Sequence, residues 1–433
     1  MMWSTLSRAI KCWIPEEKRV PEKSYNGSLV LLIPKEATSL LKHQFSIGEA
    51  EIWRQNENNR EIFVKPPVAT SVRRVLDENN VMYTVVCEDV QNAINAERFL
   101  QNISVQRVLK NDFKMSWDKY HGLKDIYLFV EQLARDYPKR VRVVNIGKSF
   151  QGKMLKVAIF KSKKKNAKKI WIDGGIHGRE WVSPAAVAYI MKELAQLNVS
   201  GNSPLSRIDF YVCPIVNPDG YEYSHTTDRF WRKNRSITKL SCQGVDLNRN
   251  FKARWKRQKK CGEDYAGDVP FSEPETKHMS NFIKKHLQNM EGFISFHSFS
   301  QVILYPYSYP LDENSTVINS SHYKNMVEVG ERIADEINKV DGRLFKALAI
   351  HKFTDGAYGS SIDWAMDLGI TYPYAIELRP DVSSEVPGFL LPPSQIIPAS
   401  KEALAAVITL ASAILKQSNS GEKNKRKIKK IYG

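Results

Sequence analysis

The chain has 433 residues, 42% hydrophobic and 26% charged, a composition ordinary for a soluble globular protein and a length beyond one typical domain. No apolar run approaches the roughly 18 residues of a membrane-spanning helix, so no span is expected. The formal charge of +17 gathers largely in three runs: "KSKKKNAKK" (161–169), "RWKRQKK" (254–260) and "KNKRKIKK" (423–430). These Lys clusters suit contact with a polyanion, while the lack of an aromatic stacking pattern beside them argues against specific nucleic-acid readout.

Residues 1–19, "MMWSTLSRAIKCWIPEEKR", place Arg8 and Lys11 inside what would be the apolar core of a secretory leader, so they read as a degenerate or mis-assigned signal. A compact unit follows over 20–115. "GSLVLLIP" reads as a strand, "KEATSLLKHQF" as a helix, and "EAEIWRQ" and "REIFVKP" as strands across the polar turn "NENN". "TSVRRVLDENN" has helical spacing and "VMYTVVCED" is rich in β-formers. This β-α-β-β-α-β order is that of a small ferredoxin-like α/β sandwich. A further helix, "VQNAINAERFLQ", then leads into "SVQRVLKNDFK", a basic stretch with the character of an exposed, protease-sensitive linker.

From 116 to 416 amphipathic helices alternate with strongly apolar strands: "VRVVNIG", "LKVAIFK", "KIWIDGG", "IDFYVCPIVN", "GFISFHS" and "YPYAIELRP". Continuous apolar strands between such helices imply an α/β domain with a mixed, largely parallel sheet covered by helices on both faces. Ligands of such sheets bind beyond the carboxyl ends of the strands. Residues 417–433 are basic and expected to form a disordered tail. Five cysteines are too few for a disulfide scaffold, and the sequons at Asn26, Asn102, Asn198, Asn234, Asn314 and Asn319 fit a secreted chain.

Chemistry gathers just past "KIWID". In "GGIHGREWVSP", His177 and Glu180 lie three apart in a tight turn, where an imidazole and a carboxylate can reach one metal ion. His297 ends the apolar run "GFISFHSFS" and needs a polar partner there. Two histidines and a glutamate with an open position are a known catalytic zinc set. Glu377, in "YPYAIELRP", is costly in an apolar strand unless it faces a cavity or pairs with Arg379 two positions on. Beside an activated water it would be a general base. Arg232, Asn248 and Arg249 add donors, and an arginine matches a carboxylate through two parallel hydrogen bonds.

Together "HGREW", "NPDGY", "FWRKNRS", "GVDLNRN", "FHSFSQ", "LYPY", "SIDWA", "ELRP" and "GFLLPPSQIIP" resemble the A/B group of zinc metallocarboxypeptidases, from about Ser116 to Lys416. The small unit before them resembles that family's activation propeptide. The resemblance implies one Zn2+ held by His177, Glu180 and His297. It implies Glu377 as the group that takes the water's proton and returns it to the leaving amine, and Arg232 as the stabiliser of the oxyanion. Asn248 and Arg249 would bind the C-terminal carboxylate of a peptide or protein, and Arg179 would line the approach. An activating protease would cut near Arg107 or Lys110. Cys242 and Cys261 match the family's loop disulfide, which points to an extracellular, oxidising compartment.

The resemblance also places Ile362 at the base of the side-chain pocket, with Ser308 and Ile350 beside it. A neutral pocket favours apolar or aromatic C-terminal residues, because a cation would enter unpaired. Three positions depart from the pattern. Asp355 stands where a mobile tyrosine is usual, with Tyr358 nearby as a possible substitute. Phe299 follows His297-Ser298 where tyrosine is common, and Pro380 follows "ELR" where aspartate is usual. Asp355 opens a second reading, a weakened relative that binds peptide C-termini or a partner protein.

Overall fold

The computed structural model describes residues 22–105, 115–197, 203–258, 260–312, 315–354, 356–382 and 387–432. The 1–19 segment, Arg107, Lys110 and Asp355 fall outside the described residues.

The small domain pairs β1 (Leu29–Pro34), β2 (Ala50–Gln55), β3 (Asn59–Val64) and β4 (Thr84–Cys87) as an antiparallel sheet in the order β2-β3-β1-β4. Alternation along the strands sends side chains to two faces. Leu29, Leu31 and Ile33 join Ile62 and Val64 on one face, against Val72 and Leu76 of the helix Pro66–Glu78. The expected first helix forms as a 3-10 turn, Lys35–Leu41, running into the helix Lys42–Ser46. Val30, Phe63 and Trp53 make the second face apolar too, so it needs a cover, and Phe230, Phe299 and Phe389 of the large domain supply it.

The large domain holds β5 (Val141–Lys148), β6 (Met154–Phe160), β7 (Lys168–Asp173), β8 (Ile208–Cys213), β9 (Met290–Ser298), β10 (Val302–Tyr305), β11 (Lys346–Ala349) and β12 (Tyr372–Leu378). Their order is β11-β10-β12-β9-β7-β8-β6-β5. The centre, β12-β9-β7-β8, is parallel; β10 runs antiparallel to β12, and β6 runs antiparallel to β8 and β5. The unforeseen strands β10 and β11 have four residues each, too short to show a period. Ile170 and Ile172 of β7 face the helices Leu123–Asp136, Val182–Gln196 and Ser321–Asp341, while Trp171 faces Met279 and Ile283 of the helix Pro274–Lys285. Both faces of the sheet are therefore covered, as its apolar strands require.

The last helix, Ile396–Tyr432, corrects the expectation of a disordered tail: helix formers such as Lys, Glu and Gln continue it through 417–432 without a proline. The segment Pro393–Gln417, a 3-10 turn running into the first part of this helix, is long and apolar enough to cross a membrane, but 61% of its most apolar window is buried, with Ala403, Leu410 and Ile414 in the core.

The two domains are tied by a buried ion pair. Arg229 donates from Nε and Nη2 to Glu97 of the helix Val90–Val105 at 2.7 and 2.9 Å, and its guanidinium lies 3.5 Å over the Trp181 ring. Removing one partner of a buried pair strands a charge, at a cost of about 3–5 kcal/mol. Glu97→Ala is therefore expected to lower the unfolding free energy of the intact chain by that order, read as a lower urea midpoint. An unchanged midpoint would contradict a stabilising role for the pair.

Candidate active site

β7 ends at Asp173, and the chain turns through Gly174 and Gly175, the latter at φ +60°, before reaching His177. A Cβ on Gly178 would stand 2.4 Å from the Gly220 carbonyl oxygen, so "HGREW" packs backbone to backbone against "NPDGY". Gly178 N also donates to the Arg232 carbonyl at 2.9 Å, which brings that arginine alongside. Glu180 follows just before the helix Val182–Gln196, and His297 arrives from β9.

Three ligand atoms converge here. His177 Nδ1 lies 2.7 Å from Glu180 Oε1 and 3.2 Å from His297 Nδ1, which is 3.2 Å from Glu180 Oε2. All three residues are buried, and their ligand atoms lie within 4.8 Å of one another. The far ring nitrogens are engaged behind them. His177 Nε2 meets Asp246 Oδ1 at 3.1 Å, and His297 Nε2 meets Ser295 Oγ at 3.1 Å. Ser295 Oγ donates to Asp173 Oδ1 at 2.7 Å, and Trp171 Nε1 to Asp173 Oδ2 at 2.6 Å. Each imidazole thus turns Nδ1 to a shared point, with a carboxylate as third donor. This set fits zinc.

Burial by itself would raise Glu180, but the two imidazoles hold it well below the carboxylate range. Burial likewise would raise Asp246, and Arg232 and His177 hold it far down. Asp173 is pushed up to about 6 by burial, against its hydrogen bonds from Ser295 and Trp171.

Glu377 stands in register with His297 on adjacent parallel strands, which puts its carboxylate beside the three converging atoms. Burial pushes it up to about 7. Arg379 does not pair with it: that guanidinium donates to Glu402 and, at 2.7 Å, to Asp341. The ion-pair alternative for Glu377 is thereby removed. Arg232 donates from Nε and Nη2 to Asp246 Oδ2 at 3.1 and 2.9 Å, with Nη1 3.6 Å from Glu180 Oε1.

One cavity of about 440 Å³ takes in the three converging residues with Glu377 and Arg232. Asn248, Arg249, Arg179 and Ile350 form its walls. Asn248 Oδ1 accepts from Ser361 N at 2.9 Å, and Arg249 Nη1 donates to the Asn248 carbonyl at 2.9 Å. Beneath, Ile362 packs with Ile350, Leu304 and Ala375 in one apolar cluster. Ser308 is fully buried and spends its N–H and hydroxyl on Asp363, whose carboxyl burial raises to about 6. Tyr358 is not among the lining residues; its ring lies 3.5 Å beneath the Lys256 ammonium. Cys242 and Cys261 are joined by a disulfide.

The small domain reaches into this cavity. Ile52, Trp53, Arg54 and Gln55 of β2 line it from above. The Arg54 guanidinium sits 4.0 Å over the Phe299 ring and donates to the Pro380 carbonyl at 3.4 Å, and Gln55 donates to the Phe353 carbonyl at 3.1 Å. Phe299 and Pro380, two departures in the sequence, are thus contacts of this cover. Glu61, opposite Arg54 on β3, accepts from Gly388 N at 3.3 Å; burial brings Arg54 down to about 10 and Glu61 up to about 7.

Sequence reasoning missed Asp173, Asp246 and Ser295. Asp173 closes the apolar run "KIWID", the same anomaly that singled out Glu377, while Asp246 lay unassigned inside "GVDLNRN". The placement of Arg54 follows from domain docking and leaves no local signal.

Comparison with known proteins agrees with this geometry. Residues 126–406 match the zinc carboxypeptidase family and 35–97 the carboxypeptidase activation peptide. Mouse carboxypeptidase A6 is 32% identical over 94% of this chain and 96% of its own length. Bovine carboxypeptidase B2 is 35% identical over 82% of this chain and 83% of its own. A crystal structure of thrombin activatable fibrinolysis inhibitor, 30% identical, superposes with a TM-score of 0.78 over 91% of this chain and all of that one. The chain belongs to the zinc carboxypeptidase family, in a form that carries an activation peptide. It is a metallo-exopeptidase, a hydrolase of the carboxypeptidase A/B kind.

The Asp246 contact fixes both the tautomer and the direction of His177, and loss of such a partner costs about 10–100-fold in metal affinity. Asp246→Asn is expected to release metal to a competing chelator at correspondingly lower chelator concentration. Release at the wild-type concentration would contradict this role.

Proposed function

We propose that the chain is a zymogen whose large domain, freed of the small one, removes apolar or aromatic residues from peptide C-termini using one Zn2+. The carrying observation is the convergence of His177, Glu180 and His297 beside Glu377, in a cavity walled by Asn248 and Arg249 and floored by apolar residues. Zinc in that triad supplies Lewis-acid activation of water and of the scissile carbonyl. Glu377 takes the attacking water's proton on its carboxylate and returns it to the departing amine. Arg232, steadied by Asp246, donates to the carbonyl oxygen as it gains charge. Asn248 and Arg249 hold the terminal carboxylate, and Arg179, 4.3 Å from the Phe389 ring, borders the path of the upstream chain.

A- and B-type relatives match at 32% and 35%, so overall likeness does not choose a side chain. The apolar preference is supported by the floor, where Ile350, Leu304 and Ala375 line the cavity and Ile362 shares their apolar cluster, a surface that offers an entering lysine or arginine no counter-charge. Family membership leaves the binding-only reading without support. The disulfide, the activation peptide and exposed sequons at Asn26 and Asn319 support an extracellular place. Asn234 is not an acceptor, since its buried amide donates to Glu273 and Glu275. Activation by cleavage near Arg107 or Lys110 would withdraw Arg54 from the cavity.

Trimmed protein is expected to release C-terminal Phe or Leu, and not Lys, from peptides followed by mass spectrometry, with loss of activity in a zinc chelator. Equal release of Lys would sink the proposed preference. Glu377→Gln should retain zinc yet lower kcat by about 10²–10⁴-fold; near-normal turnover would remove Glu377 from the mechanism. Uncut chain matching trimmed chain in activity would refute the zymogen reading.

A further inference from the structure

The three basic runs have different fates in the fold. In 254–260, Arg254 lies 3.8 Å from the Tyr309 ring and Lys256 is engaged on Tyr358. The side chains of 423–430 are outside the described residues. The 161–169 loop joins β6 to β7 at the amino ends of the parallel strands, the pole opposite the cavity.

Here cations collect in space as well as in sequence. Lys169 donates from its backbone to the Asn289 carbonyl at 2.8 Å and from Nζ to the His286 carbonyl at 3.1 Å. That ties the loop to the end of the helix Pro274–Lys285 and brings exposed Lys285 to the same pole, while the Lys284 ammonium lies over the Phe271 ring at 5.5 Å. The acids nearby are already taken. Asp209 binds Lys161 at 2.7 Å and Ser162 N at 2.8 Å, and Glu291 accepts from Lys168 and from Thr371 Oγ1 at 2.6 Å. Lys163, Lys164 and Lys165 stay exposed and make no ion pair among the described residues. Burial and the like charge of Lys161 push Lys169 below the usual lysine range, in keeping with a local excess of positive charge.

We propose that the 161–169 loop, with Lys285, is a docking site for a linear sulfated polysaccharide. The charge is lysine, a strongly hydrated point cation that suits closely spaced sulfates. No large apolar side chain is exposed in this loop or at 284–289, so nothing would insert into a bilayer. No aromatic residue of the loop offers a stacking platform for bases. The choice of a polysaccharide met outside cells rests on the extracellular reading above. A chain bound at this pole leaves the cavity at the other pole open, so the protein would be held at an anionic matrix while it works on peptide ends.

The test uses the full chain and heparin as probe, comparing wild type with the variant Lys163→Gln, Lys164→Gln, Lys165→Gln. The tail variant Lys425→Gln, Lys427→Gln, Lys429→Gln serves as control, and thermal midpoints confirm that every variant is folded. The loop variant is expected to bind heparin about tenfold or more weakly at about 0.15 M salt. Its slope of log affinity against log salt should be shallower by about two to three, roughly one per lysine removed. The tail variant should stay within about threefold of wild type, and trimmed loop variant should cleave a short synthetic substrate as wild type does. Unchanged heparin affinity in the loop variant, or a loss confined to the tail variant, would overturn the site. Duplex DNA or phosphatidylserine vesicles bound as tightly through the same lysines would overturn the polysaccharide as its ligand. None of these readouts requires peptidase activity, so the docking site and the enzymatic reading fail separately.

Discussion

The structure turns on one unfavourable arrangement made favourable. A carboxylate and two imidazoles are held within 2.7–3.2 Å of one another, away from water, with their acceptor atoms facing inward. Left alone, such a group would repel or take up a proton. It persists because each imidazole leans on a carboxylate behind it, His177 on Asp246 and His297 on Asp173 through Ser295. A metal cation at the shared point would complete the balance. The apolar parallel sheet exists around this point: its register fixes Ser295, His297 and Glu377, and its covered faces keep Asp173 dry.

The same logic explains the small domain. Its sheet is apolar on both faces; the helix Pro66–Glu78 packs on one, and on the other Val90 and Ile94 of the helix Val90–Val105 share the cluster with side chains of the large domain. The other lies against the rim of the cavity, where Trp53 stacks on Phe63 and meets Phe230 and Phe389. Arg54 and Glu61 enter that interface as an opposed pair whose buried guanidinium has donors, Nε and Nη2, without partners among the described residues. A cover so imperfectly satisfied is suited to removal. Arg229 belongs to both arrangements, since it binds Glu97 and also holds the carbonyls of Arg179 and Phe389 at the groove.

Much of this was legible in the chain because its cause is local. Strongly apolar runs gave six of the eight strands of the large sheet, and the position of Glu377 in an apolar strand betrayed a polar cavity. Strands β10 and β11 escaped, being four residues each, with β10 set in register by β12 and β11 by β10. The residues behind the histidines escaped for another reason: Asp173 and Asp246 matter through partners more than 65 residues away in the chain. Arg54 could not be anticipated, because its role arises only where two domains meet. The continuation of the last helix through 417–432 shows the converse, that dense positive charge does not by itself prevent helix.

The central claim is that His177, Glu180 and His297 together hold a single zinc ion. X-ray absorption at the zinc edge on the purified full chain tests it most directly. The account predicts one equivalent of zinc bound by two imidazole nitrogens and carboxylate oxygen, with no sulfur in its shell. Sulfur ligation, which would draw in Cys87 or Cys213, or a chain that retains no stoichiometric zinc would contradict it.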